Sequence, residues 1–196
     1  LRHWVEDCQA GRNCPLTGDA DAGMRKMKAF FDSLENSPLE TSDADRPLTR
    51  NLAMSAVIGL LYSTETYSIL TQAMTSALNS NDGSMLLFVA DLLNERNKDG
   101  SYASNSMDAI VAINSLDYSP VGNADQWTKG YETLKSELLV FGEEAGFTSA
   151  SLEGWPTSHA KRQPISAQGA PPSMVVGTTH DPATPYVMSQ NLAKEL

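Results

Sequence analysis

The chain has 196 residues, 41% hydrophobic and 19% charged, which supplies a packed core for one domain or slightly more and is too little charge for a disordered chain. The 14 Lys and Arg against 24 Asp and Glu give a formal net charge of −10 with no basic run, which excludes nucleic acid and anionic membrane surfaces as partners. The best apolar stretch, Leu52 to Tyr62, is broken by Ser55 and Gly59 and falls short of the ~18 residues of a membrane span.

The sequence opens on Leu1 without a signal-type region and stops at Leu196 inside a helical pattern, so a longer parent protein is expected. Cys8 and Cys14 are the only cysteines, with Gly11 between them. A turn at Gly11 permits a local disulfide, worth roughly 2 kcal/mol through loop closure and implying an oxidising compartment; two free thiols in a cytosolic protein fit the same spacing. The histidines His3, His159 and His180 show no metal-binding helical spacing, so neither metal nor cofactor is expected.

Most of the chain has a period near 3.6. Met24, Met27, Phe31 and Leu34 share a helix face, with Asp19 and Asp21 near its start and Pro38 after its end. Thr49 is placed to cap a helix carrying Leu52, Ala53, Ala56, Val57 and Leu60. A third helix aligns Tyr67, Leu70, Met74, Ala77 and Leu78 and stops at Asn79–Gly83; a fourth carries Leu86, Val89, Ala90 and Leu93 and ends near Lys98–Gly100. After Met107 the run Ala109-Ile-Val-Ala-Ile113 reads as a strand buried on both faces. A helix with Trp127, Tyr131, Leu134, Leu138 and Phe141 follows, then a Gly, Ser and Pro-rich linker from Gly142 to Pro172. A second short strand is expected over 171–177, and Thr184 followed by Pro185 opens the final helix.

Strand, helix, strand, helix implies two short parallel strands joined by a crossover, and two such strands alone leave unpaired edges. The expected fold class is α/β: a C-terminal part of a larger α/β protein, itself mostly α-helical, with residues 1–107 forming an inserted helical cap and residues 108–196 the C-terminal part of the core.

Gly177-Thr-Thr-His-Asp181-Pro-Ala-Thr-Pro185, after an expected strand and ahead of a helix, resembles the acid loop of α/β-hydrolases. Trp4-Val-Glu-Asp-Cys8 through Cys14-Pro15-Leu16 resembles the two-cysteine lead into the lid of secreted tripeptidyl-aminopeptidase-like hydrolases, related to prolyl aminopeptidases. Asp99-Gly100-Ser-Tyr102 with Ala112-Ile113-Asn-Ser115-Leu-Asp117 resembles that family's lid exit and following strand, and Gly154-Trp155-Pro156 its tryptophan-proline turn. Four motifs in the family's order cover nearly the whole chain. The resemblance implies a serine hydrolase fold with a lid, a Cys8–Cys14 disulfide, a secreted or cell-envelope location and a small peptide or ester as substrate. It also makes Asp181 the triad acid that orients the catalytic histidine.

The departures are specific. Where the family carries two further cysteines, this chain has Ser115 and the Ser151-Leu152 pair, as expected if one bond were lost as a unit. No Gly-x-Ser-x-Gly occurs anywhere in the sequence, and only 15 residues follow Asp181, so the nucleophile and the family's downstream histidine are absent. His180, adjacent to Asp181, cannot readily receive its orienting bond while facing a nucleophile; it reads as an exposed loop residue, and His3 and His159 as solvent-facing or satisfied. Ser101 and Ser173 lack an elbow and read as loop serines. Glu65, Asp91 and Glu95 are lid carboxylates able to pair with a substrate ammonium, and the sequence does not choose among them.

The expected function is that of a fragment of an exopeptidase releasing short peptides from a free N-terminus, inactive alone and completed by a missing core segment of the same protein. The alternative is a non-catalytic helical ligand-binding or interaction domain whose acid loop is only a turn.

Overall fold

Trp4 and Val5 have no exposed surface, and they seat a first helix, α1 (Arg2–Ala10), on the rest of the chain. In this computed structural model, which describes residues 1–156, 169–181 and 183–196, the Trp4 indole N–H reaches the Thr71 hydroxyl at 3.2 Å and the Tyr67 carbonyl at 3.4 Å. Cys8 and Cys14 form a disulfide with their Cα atoms 5.3 Å apart. It fixes the turn that delivers the chain to α2 (Ala20–Asn36), where the Asp19 carboxylate caps the helix by accepting from the Ala22 N–H at 2.7 Å.

Thr49 caps α3 (Arg50–Leu60), accepting from Leu52 N–H at 3.4 Å, and α4 (Tyr67–Ser80) and α5 (Ser84–Leu93) complete a helical array. The expected faces are largely the buried ones: Met27, Phe31 and Leu34; Ala53, Ala56, Val57 and Leu60; Leu70, Met74 and Ala77; Leu86, Val89 and Ala90; Leu93, expected on the last of these faces, is instead 44% exposed at the end of its helix. Gly59 lets α5 approach α3 closely, because a Cβ there would overlap the Leu93 side chain. The fourth helix ends at Leu93 rather than near Lys98. The chain then turns through Gly100 at φ +86°, with the Asp99 carboxylate accepting from the Ser101 N–H at 2.9 Å and hydroxyl at 2.6 Å.

The expected strand over 109–113 is instead part of a helix, α6 (Ser106–Asp117). A strand buried on both faces needs a hydrogen-bonding neighbour on each edge, and no named strand lies among the described residues to supply one. The helix closes the same backbone bonds locally, at the cost of leaving Ile110, Val111 and Ile113 half exposed, at 54%, 50% and 57%. Next come α7 (Ala124–Glu137), capped by Asn123, the short α8 (Gly142–Ala145) and a 3-10 turn at Ala150–Leu152. Val140 is buried and Phe141 partly buried against the helical core, and Arg50 forms ion pairs with Glu144, with Glu143 at 3.4 Å and with Glu35 at 3.8 Å.

The chain divides into two compact units, residues 1–158 and 159–196. In the second, the expected strand over 171–177 is not assigned as one, again because no partner strand lies among the described residues. The segment nevertheless alternates. Met174 and Val176 are 88% and 76% exposed, while Val175 is partly covered and Gly177 lies against Tyr186 and Ser189 of the last helix, α9 (Tyr186–Glu195). A Cβ at Gly177 would overlap both side chains, so glycine is what lets the segment lie on the helix. Pro185 takes the cap position and not the first helical turn as expected, which frees Thr184 for the loop ahead of it.

Candidate functional site

The loop between Gly177 and α9 turns at His180, whose φ of +63° is in the left-handed region that costs an L-residue roughly 1 kcal/mol. The turn brings the Asp181 carboxylate over the start of the next segment. Oδ1 accepts from the Ala183 N–H at 2.8 Å and the Thr184 N–H at 3.0 Å, and Oδ2 accepts from the Thr184 hydroxyl at 2.6 Å. The Thr184 hydroxyl, then the Thr184 and Ala183 amides, hold the Asp181 carboxyl below the usual carboxylate range, so it is ionised at neutral pH. An ionised carboxylate offers about four lone-pair sites, and these three bonds leave one on Oδ2. The arrangement is that of a pre-oriented anion able to accept one further N–H.

The other sequence candidates are dispersed. His3 packs edge-on against the Tyr67 ring with centroids 6.0 Å apart. His159 lies outside the described residues. Ser101 donates to the Asp99 carboxylate within its own turn, and Ser173 donates to the Pro171 carbonyl at 3.3 Å, so neither hydroxyl is bonded to a histidine. Ser115 is buried and donates to the Val111 carbonyl at 2.7 Å, while Ser151 donates to Thr148 at 2.7 Å; Val111 and Ser151 line one cavity of about 560 Å³.

The three lid carboxylates separate clearly. Asp91 is held by both terminal nitrogens of Arg46, at 2.5 and 2.7 Å, and this bidentate pair keeps its carboxyl well below the usual range. Glu95 accepts from the Ser104 hydroxyl. Glu65 lies in the short 3-10 turn ahead of α4 and lines a groove of about 730 Å³ with Asp7, Arg12 and Tyr67. Asp91 is therefore already neutralised by Arg46, with Arg96 a further 3.8 Å away, which makes it a poor partner for a substrate ammonium. Sequence reasoning missed Arg46 and Arg96, which line a second cavity, of about 840 Å³, with Asp91, Tyr102 and Asp108. The sequence separation of 45 between Arg46 and Asp91 leaves no local signal of their pairing. Among the described residues no cluster of metal-ligating side chains occurs.

Comparison with known proteins gives the class. Residues 139–196 match the family described as TAP-like protein. That match, together with the relatives, is consistent with the C-terminal portion of a TAP-like α/β-hydrolase. Over 98% of its length it is 31% identical to Carboxylesterase B of Mycobacterium tuberculosis, and over 100% of its length 33% identical to Serine protease Hip1 of Mycobacterium tuberculosis and Mycobacterium bovis. It spans only 38% and 39% of the length of those relatives. Among the described residues no helix is long and apolar enough to cross a membrane.

Proposed function

We propose that this chain is the lid and acid-loop portion of an extracytoplasmic serine hydrolase that releases short peptides from a free N-terminus. Residues 1–107 act as the lid, residues 108–196 as the C-terminal part of the catalytic core, and Asp181 as the triad acid. The observation that carries the reading is the Asp181 carboxylate: it follows an extended segment packed on α9, is held by three local bonds, and keeps one acceptor site on Oδ2. That is what an orienting acid requires, since it must hold a histidine N–H and stay ionised beside the imidazolium. The exposed apolar residues of 109–113 and 174–176 support burial against further core strands, which the rest of a longer protein would supply. The disulfide supports an oxidising compartment.

In the complete enzyme the serine attacks the carbonyl carbon, the histidine takes its proton and passes it to the leaving amine, and Asp181 fixes the histidine tautomer. An ester is handled by the same steps, and the relative named a carboxylesterase favours that second reading of the substrate.

The test is Asp181→Asn in the complete protein. In serine proteases the corresponding change lowers turnover on the order of 10⁴ while leaving the serine and oxyanion hole in place. Asn keeps most of the capping, so the melting temperature should hardly move while turnover collapses. Near-normal turnover would remove Asp181 from the machinery and leave the binding-domain reading ahead.

A further inference from the structure

The α7–α8 hairpin is joined to the helical array by a narrow contact. Among the described residues Val140 is the one buried apolar side chain beyond Ala90, and Phe141 beside it is partly buried against the same core. Among those residues, too, every ion pair that crosses from the array to α7 or α8 is made by Arg50, the first residue of α3. Its side chain is only 15% exposed and meets Glu144, Glu143 at 3.4 Å and, inside the array, Glu35 at 3.8 Å. Helix α6 braces the joint weakly, since among the described residues none of its apolar side chains is buried.

Each side of the joint is stiff. A Cβ at Gly142 would overlap the Leu134 carbonyl, and one at Gly146 the Tyr131 side chain, so α8 lies hard against α7. The Tyr131 and Phe147 rings are 5.2 Å apart, and Lys135 pairs with Glu143 at 3.1 Å. Two packed bodies that meet at one apolar knob and one ion cluster move relative to each other more easily than either unfolds.

We infer that Arg50 is a latch: it holds the α7–α8 hairpin against the array, and when its pairs with Glu143 and Glu144 break, the hairpin swings away as a body while both parts stay folded. Glu143 and Glu144 are about one third exposed, so these pairs are partly solvated and can be released. On release Arg50 keeps Glu35 and Glu143 keeps Lys135, so neither side strands a covered charge. On the proposed reading the array is the lid and the hairpin belongs to the core, so the latch ties lid to core and ionic strength sets how readily they part. That assignment of lid and core rests on the proposed function, whereas the hinge does not.

The test is a distance measurement by pulsed electron paramagnetic resonance on the chain as it stands, with spin labels at Ala29→Cys on α2 and Glu132→Cys on α7. Both positions are exposed, and the bonded Cys8 and Cys14 take no label. At low salt one closed distance should dominate. Arg50→Met keeps an apolar stem without the charge and should raise the ratio of longer to closed distances about tenfold, the loss of a partly solvated charge-assisted contact. Glu143→Gln combined with Glu144→Gln leaves α3 untouched and should do the same, so it remains informative if Arg50→Met loses its helical circular dichroism. NaCl at about 1 M, where screening acts beyond about 3 Å, should open the protein with its native Arg50, Glu143 and Glu144 and hardly change either variant. A closed distance that persists in the double variant, opening in the variants that salt does not reproduce, or opening accompanied by loss of circular dichroism overturns the proposal. No step needs turnover, so its failure is separate from that of the Asp181 test.

Discussion

Breaking the Cys8–Cys14 bond should lower the melting temperature of this chain by a calculable amount. The cysteines are six residues apart, so the bridge closes a loop of about seven residues, and loop-closure entropy then gives about 8 cal/mol/K, or about 2.4 kcal/mol at 25 °C. The folded loop has other attachments: the Gln9 amide donates to the Leu16 carbonyl at 3.0 Å, and the Lys26 ammonium donates to the Pro15 carbonyl at 2.7 Å. Reduction therefore acts chiefly on the unfolded chain and leaves the native loop docked. At about 2–4 °C per kcal/mol for a chain of this size, the fall should be roughly 5–10 °C. The assay is thermal denaturation followed by circular dichroism, with and without a phosphine reductant, alongside Cys14→Ser and Cys8→Ser. Cys8 is buried and Cys14 only partly so, which makes Cys8→Ser the more damaging, since its hydroxyl enters an apolar site. Two thiols titrating in the unreduced, unfolded protein, or identical melting with and without reductant, would refute the reasoning.

Arg46→Gln should destabilise the helical unit by about 1–2 kcal/mol at neutral pH, because it removes two short bonds from Asp91 at a site where both side chains are about four-fifths covered. Arg46 lowers the Asp91 carboxyl in the folded state, so the stabilisation is full above the ordinary carboxylate range and is lost as pH falls through the depressed value; the variant's acid unfolding curve should be flatter there. The chain alone, lacking a Gly-x-Ser-x-Gly, should not turn over an aminoacyl or short-acyl chromogenic substrate, and activity persisting through repeated purification would contradict the proposal that the nucleophile lies outside it.

Helices α2 to α5 were legible because their apolar residues recur at helical spacing and short polar residues stand ahead of two of them: Asp19 and Thr49 make the caps their types promise. The nine-residue α1 was not read as a helix, since its buried residues, Trp4, Val5 and Cys8, are too few to establish a period. Ala109–Ile113 shows the opposite failure. A contiguous apolar pentapeptide fits a two-faced strand or a helix equally by pattern, and the signals that separate them here were the polar run Ser104–Ser106 and Asp108 in the first helical turn. The Asp181 loop was legible as a turn from Asp-Pro-Ala-Thr, but its hydrogen-bond valence was not. Which carboxylate already has a cationic partner depends on groups brought together by the fold, as the contrast between Asp181, held by neutral donors, and Asp91, held by Arg46, shows.

The distribution of buried surface explains why the helical part needs little help while the remainder does. Among the described residues every buried apolar side chain lies between Trp4 and Ala90 except Val140. The array of α1 to α5 therefore carries nearly all of that core, although Phe88 and Leu92 on its α5 stay exposed, and its caps, disulfide and Arg46–Asp91 pair lie within it or at its edge. The segment around α7 and α8 joins it through Val140, Phe141 and the Arg50 carboxylate cluster, contacts that are partly solvated and individually worth about 1 kcal/mol or less. Beyond Ala90 the large side chains of α6, and separately those of 174–176, face solvent. A chain whose first half carries nearly all of the buried apolar side chains is stabilised mainly by that half. Changes confined to α6, or to the segment ahead of Asp181, can then alter what those surfaces meet without unfolding the array that contains the Arg46–Asp91 pair.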